Sequence, residues 1–396
     1  MLRVREVSGP TAAHVGDAVT YQVTAYNDPD PDPAESSKVS WLVKSADGAA
    51  LGSFSRHGPV LQLTVPDSWA GQDAIVMPFM NSPSAGVAVR TAVARRTPLQ
   101  PAGTPRMVQV VREQNRFYAS VDGEPRFYLG SDVKYGQRRG LMNSSNPPGP
   151  RYRAEDYEAP HGDWAWYLLP TIACESKGHF TCLNTYDSAA FTFGHIQLAA
   201  HTPQDNFVLF FREALAQPSA PEYFPDLVVH NGRIHRRTQT GSLAPLESAQ
   251  STAALMNYFN ATPGAVDDRE AERAARMVDW SVRYQAVRDL QVAFAVREQQ
   301  RKLRVHAAKL PLDGAVDKLC IVVLDILHQG RGKYVTIANA LRAADPFDTL
   351  LGIGATQYGE RIATLRAGIR DLEVRGKVGQ KVFDAASGGF VVPAGV

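Results

Sequence analysis

The chain has 396 residues, enough for two or three domains. Apolar residues make up 44% and charged residues 21%, which permits a sizeable core and excludes a disordered or low-complexity chain. A net charge of +2 leaves no electrostatic footprint for nucleic acid, three cysteines are too few for a disulfide framework, and no run of about 18 apolar residues offers a membrane span.

Residues 1–97 read as an all-β sandwich. LRVREV, AVTYQVTAY, VSWLVKS, VLQLTVP, AIVMPFM and GVAVRTAV are short runs rich in Val, Thr and aromatics, separated by turn signals such as NDPDPDP and PDSWAG. Trp41 falls in the middle of one run, as a core residue of a sandwich would. No cluster of titratable residues interrupts the pattern, so this part is expected to be a binding or adaptor module or a plain spacer. TPLQPAGTP (97–105) reads as a Pro/Gly-rich linker. It opens a connector over 98–160, made of two or three strands with a turn at Asp122-Gly123 and then a long loop, QRRGLMNSSNPPGPRYRAEDYEAPHGD.

From 161 to 396 the chain is expected to be mainly helical. DWAWYLLPTIACE is apolar with Pro170 inside it, which predicts a short helix starting near Pro170 or Thr171 and ending at Glu175, before Gly178. LNTYDSAAFTFGHIQ then alternates apolar and polar residues and predicts a small β-hairpin. Further on, DNFVLFFREALAQ predicts an amphipathic helix and PEYFPDLVVHNGRIHRRTQTGS a turn-rich excursion. The stretch from Asp267 to Ala308 predicts one long central helix, with apolar residues at Met277, Trp280, Tyr284, Val287 and Phe294. AVDKLCIVVLDILHQGRG predicts another that stops at Gly330, and two more follow. The fold class expected is therefore multi-domain α+β.

Reactive side chains crowd between Ala173 and Pro203. Glu175 at the end of an apolar helix is expected to have a raised pKa through desolvation, as a general acid requires. Asp187, twelve residues on, can flank the same cleft on a folded-back hairpin and supply the second carboxylate that glycoside hydrolysis needs. Thr192 is suited to holding a water between them, which favours an inverting outcome, and Gln197 to meeting a sugar amide. His179 and His195 with Glu175 and Asp187 match no zinc spacing, so neither metal nor cofactor is expected. Cys174 and Cys182 are either free thiols or a small disulfide loop, and with a histidine they leave a cell-wall thiol peptidase open as an alternative. His328-Gln329-Gly330-Arg331-Gly332 reads as a helix stop with a basic cap.

Glu175 at a helix end, then Tyr186-Asp187 and Phe191-Thr192-x-Gly194, resembles the lysozyme-like superfamily, as in phage lysozymes and chitosanases; Gly194-x-x-Gln197 is similar to a step of lytic transglycosylases. The resemblance implies a lysozyme-like catalytic domain with Glu175, Asp187 and Thr192 catalytic and Tyr186, His195 and Gln197 binding substrate. VSWLVKSADG, LQLTVPDSWAG and VMPFMNSPSAGVAV resemble type VI secretion effectors with an immunoglobulin-like front domain and a muramidase-like rear. That implies peptidoglycan as substrate, a secretion-apparatus component as partner of the front domain, and an immunity protein. MLRVREVSGP lacks the apolar centre of a secretory signal, so synthesis in the cytoplasm and injection into a target periplasm are expected. The alternative from another class is a non-catalytic glycan-binding adaptor.

Overall fold

In the computed structural model, residues 2–15, 17–84, 86–94, 103–262 and 264–393 are described. The chain divides into two compact units, residues 1–100 with 122–125, and 101–121 with 126–396. It is a multi-domain α+β protein, strand-rich at the front and helical behind. Most of the linker expected at 97–105 lies outside the described residues.

The first unit holds β1 (Val4–Ser8), β2 (Ala12–His14), β3 (Ala18–Tyr26), the one-turn helix α1 (Pro33–Ser36), β4 (Ser40–Ser45), β5 (Ala50–Phe54), β6 (Val60–Thr64), β7 (Gln72–Phe79) and β8 (Val89–Ala94). They form two sheets, ordered β1-β3-β6 and β2-β8-β7-β4-β5, with β2 and β8 parallel and the other pairs antiparallel. Alternation along β4 puts Trp41 and Val43 inward, where they meet Tyr21, Leu61, Trp69 and Val76 in one core drawn from both sheets. The polar ends of Trp41 and Tyr21 are satisfied. Trp41 Nε1 donates to Gly58 O (2.9 Å), and the Tyr21 and Thr91 hydroxyls join β3 to β8 (2.9 Å).

The second unit opens with β9 (Val108–Glu113), β10 (Arg116–Val121), β11 (Phe127–Tyr135) and β12 (Arg138–Met142). Then come α2 (Ala154–His161), α3 (Asp163–Ser176), β13 (Leu183–Asn184), β14 (Thr192–Phe193) and β15 (Leu198–Ala199). All seven strands lie in chain order in one antiparallel sheet, so the small hairpin predicted from the sequence is the continuation of β9–β12. The supposed long loop after Gln137 instead contains β12 and α2.

Helix α3 starts at Asp163, earlier than Pro170 suggested, and carries the proline inside it. A mid-helix proline costs about 3 kcal/mol in isolation. Here α3 packs along the later helix α12 and buries Trp166, Tyr167, Leu168 and Ile172, and that burial outweighs the cost. The helix stops where Lys177 turns left-handed (φ 53°) ahead of Gly178.

Next come α4 (Asn206–Leu215), α5 (Ala220–Tyr223), and a three-stranded sheet of β16 (Leu227–His230), β17 (Arg233–Arg237) and β18 (Leu243–Pro245) in place of the expected irregular excursion. Then follow α6 (Ala253–Phe259), α7 (Asp268–Arg283), α8 (Gln285–Ala307), α9 (Asp317–Gln329), α10 (Tyr334–Leu341), α11 (Pro346–Gly352), α12 (Ala355–Val374), β19 (Val382–Asp384) and β20 (Gly389–Val391). The single long central helix expected is two, α7 and α8. Tyr284 breaks it in an extended conformation (φ −109°, ψ 111°), and its hydroxyl donates to Glu222 (2.7 Å), whose carboxylate also pairs with buried Arg106. Among the described residues no helix is long and apolar enough to cross a membrane.

Candidate functional site

Glu175 sits in the last turn of α3 with its side chain 14% exposed. Two basic side chains approach its Oε1, Arg361 Nη2 from α12 at 2.7 Å and His328 Nε2 from the end of α9 at 3.3 Å. Both stand at ion-pair distance from Oε1, which is itself buried. Behind it, Asp325 is fully buried between Arg361 (2.7 Å) and Arg331 (3.1 Å) and accepts from the Thr171 hydroxyl (3.2 Å). Arg331 in turn donates to Ile353 O (2.7 Å).

This network overturns the expected raised pKa. Burial does push the Glu175 carboxyl up and is the largest single influence, but His328 and Arg361 together outweigh it and hold the carboxyl below its ordinary 4.5. In the free protein Glu175 is a carboxylate at neutral pH. The histidine and arginine around Gly330 that read as a helix cap are thus part of its surroundings.

On the neighbouring sheet, Asn184 of β13 pairs directly with Thr192 of β14, so their side chains share one face. The Thr192 hydroxyl has no hydrogen-bond partner among the described residues, and Asn184 Oδ1 is buried without a donor. Between β13 and β14, Asp187 Oδ1 accepts from Ala189 N (2.8 Å), closing a turn, while Arg138 Nη1 of β12 donates to Asp187 O (3.3 Å). No ion pair or hydrogen bond joins Asp187 to Glu175. The Glu175 charge acts on the Cys182 thiol, and the Asp187 charge on its neighbour Tyr186. Burial raises that thiol first and the Glu175 charge raises it further, while the half-buried Tyr186 phenol is raised by burial and then by Asp187, Tyr135 and Cys182.

The remaining expected residues are turned to other work. His195 is buried, stacked on Tyr152 (5.6 Å) and against Phe180, with Nδ1 bonded to Gln291 Oε1 (3.3 Å). Burial drops its pKa to about 4, so it is neutral and interior, without the exposure a substrate ligand needs. Gln197 donates both hydrogen bonds of its amide nitrogen to the protein itself, to Cys182 O (3.1 Å) and Gly194 O (2.9 Å). Gly194 (φ 92°) holds the turn before it, where a Cβ would meet Gln291 Oε1 at 2.6 Å. His179 accepts from Arg151 Nε (2.9 Å) and is likewise pushed down to about 4, first by burial and then by Arg151 and Lys177.

All three cysteines are free thiols. Cys174 and Cys182 are pushed up to about 12, chiefly by burial, so neither has the thiolate character a peptidase nucleophile needs. Among the described residues no group of three or more His, Cys, Asp or Glu side chains could hold a metal ion.

Two features escaped the sequence. Asn184 carried no signal beyond its place in an alternating run. Glu270, in the first turn of α7, is buried against the opposite face of the same sheet, and its Oε1 accepts from the Thr185 hydroxyl and from Leu141 N (3.2 Å). Desolvation raises its pKa to about 8, so it is largely protonated at neutral pH. A separate cleft of about 540 Å³ lies among α2, α8 and Gln217, with Asp156, Tyr157, His161, Gln285 and Asp289 on its walls. It contains none of the expected site residues. Comparison with known protein families, curated proteins and solved structures returned no match for this chain.

Proposed function

We propose that the chain is a glycoside hydrolase of the muramidase type, cutting the sugar backbone of peptidoglycan, with Glu175 and Asp187 as its two carboxylates. One observation carries this reading: a carboxylate in the last turn of a buried helix acts on the Cys182 thiol, and Cys182 leads into the short strand pair that carries Asn184, Thr192 and, in the turn between them, Asp187. A water or a sugar hydroxyl there would meet the Thr192 hydroxyl, which has no hydrogen-bond partner among the described residues. In this reading Glu175 protonates the leaving oxygen, Asp187 activates water, and Thr192 positions that water. The likeness to type VI effectors extends the proposal to an injected antibacterial protein whose front β-sandwich serves delivery.

Release of soluble fragments from dye-labelled peptidoglycan, with mass analysis of the products, tests it. Cleaved glycan with intact stem peptides is the expected outcome; cleaved peptides with intact glycan would remove the glycosidase reading. A non-catalytic glycan-binding adaptor also has an observation in its favour, because the Arg361–Asp325 network holds Glu175 ionised as a structural ion pair would. Folded protein that binds peptidoglycan and releases nothing would favour it.

A further inference from the structure

Among the described residues Tyr135 is the only aromatic side chain left substantially in solvent, 68% exposed at the end of β11; of the large apolar residues described, only Val335 and Val374 are more open. An aromatic ring in water forgoes the burial that stabilises every other Phe, Tyr and Trp of this unit. Its position coincides with the candidate site. The Tyr135 ring lies against Tyr186 (centroids 6.1 Å apart, planes at 58°), and Tyr186 immediately precedes Asp187. Arg138, three residues after Tyr135 and across the β11–β12 turn, holds the Asp187 carbonyl (3.3 Å). The exposed ring and the carboxylate turn are therefore fixed relative to each other by a ring contact and a hydrogen bond.

We propose that Tyr135, backed by Tyr186, is a stacking platform for a pyranose ring of the glycan, a binding residue that positions the chain for Glu175 and Asp187. The proposal rests on the glycosidase reading for the identity of the ligand. The physical basis is general. The C–H face of a pyranose carries partial positive charge and is apolar, while the tyrosine face is electron-rich, so stacking buries both with little entropy cost because the ring has only two side-chain torsions. Two rings tilted at 58° form a corner that sets the direction of the sugar as well as its contact.

The experiment titrates the full-length protein with a β-1,4-linked N-acetylglucosamine tetramer by calorimetry and measures kcat and KM on peptidoglycan. Variants are Tyr135→Ala, Tyr135→Trp and Glu175→Gln. Because Tyr135 is exposed, Tyr135→Ala should melt as the parent does. Its Kd and KM should each rise about tenfold with kcat within about twofold, while Tyr135→Trp stays near the parent. Glu175→Gln should bind the tetramer as the parent does. If the parent binds the tetramer but cuts nothing, and Tyr135→Ala weakens that binding, the platform stands and the hydrolase reading fails. Unchanged binding in Tyr135→Ala, equal loss in Tyr135→Trp, or no tetramer binding by the parent overturns the platform.

Discussion

Glu175 is governed by two opposed influences, and its chemistry follows from which prevails. Burial alone would favour the acid form, but His328 and Arg361 tip the balance to the carboxylate. If the protonated form is the proton donor, kcat/KM should increase as pH falls towards and below 4.5, because that ratio reports the free protein. His328→Gln removes the first of the two cationic influences, so the alkaline limb of the profile should move to higher pH. An unmoved limb would separate Glu175 from the acid role. Glu175→Gln, which keeps shape but cannot donate a proton to the leaving oxygen, should lower activity by roughly 10²–10⁴-fold with the melting temperature retained. Parental activity from that variant would remove the centre of the mechanism.

The Glu270 prediction concerns stability. Its folded pKa is raised from 4.5 to about 8, so the folded protein holds the proton more tightly than the unfolded chain does. Its contribution is full below about 4.5 and is lost as pH rises through about 8. Glu270→Gln is neutral throughout. It should therefore gain on the parent between pH 5 and pH 8, on the order of 3 kcal/mol in denaturant unfolding. An equal difference at both pH values would count against the buried acid.

Among the elements, α9 has the most to hold. Asp325, at 0% side-chain exposure, binds Thr171 of α3, Arg361 of α12 and Arg331 beyond the helix end, so one carboxylate ties three segments around the candidate site. Removing one partner of a buried ion pair leaves the others uncompensated, which typically costs about 3–5 kcal/mol. Asp325→Ala should lose stability of that order in guanidinium titration, and a loss below about 1 kcal/mol would show the network to be dispensable. The sheet has a comparable constraint at Gly140 of β12. A Cβ there would fall 2.5 Å from Thr185 Oγ1 and 2.6 Å from Tyr186 N. Gly140→Ala must push away the backbone that leads into Asp187, so it should impair stability and activity together.

For the molecule as a whole, each unit has its own closed core, one around Trp41, Tyr21 and Trp69 and the other drawn from the seven-stranded sheet and the helices. A fragment beginning at residue 103 should fold, give a mixed α/β circular dichroism spectrum, and keep whatever activity purified peptidoglycan reveals. Failure of that fragment to fold would show the second unit to depend on the first.

Sequence alone determined what local pattern and chemistry encode. Period-two runs marked the front strands and Trp41 as core, turn residues divided them, and helical spacing marked the later helices, with Gly330 ending α9. It also drew attention to the segment from Ala173 to Pro203, where Glu175 falls in the last turn of α3 and Thr192 in a short strand. Tertiary structure decided the rest, because the deciding partners are far away in the chain. Arg361 lies 186 residues from Glu175, and no local pattern foretells that it will reverse the effect of burial on that carboxyl. Packing on α12 kept α3 helical through Pro170, and the Glu222 contact at Tyr284 divided a helix that periodicity alone would have continued. Burial turned His195 inward, and hydrogen bonds to Cys182 O and Gly194 O tied Gln197 back onto the protein. Tyr135 came to lie against Tyr186 only because β12 joins β11 to β13 in a single sheet.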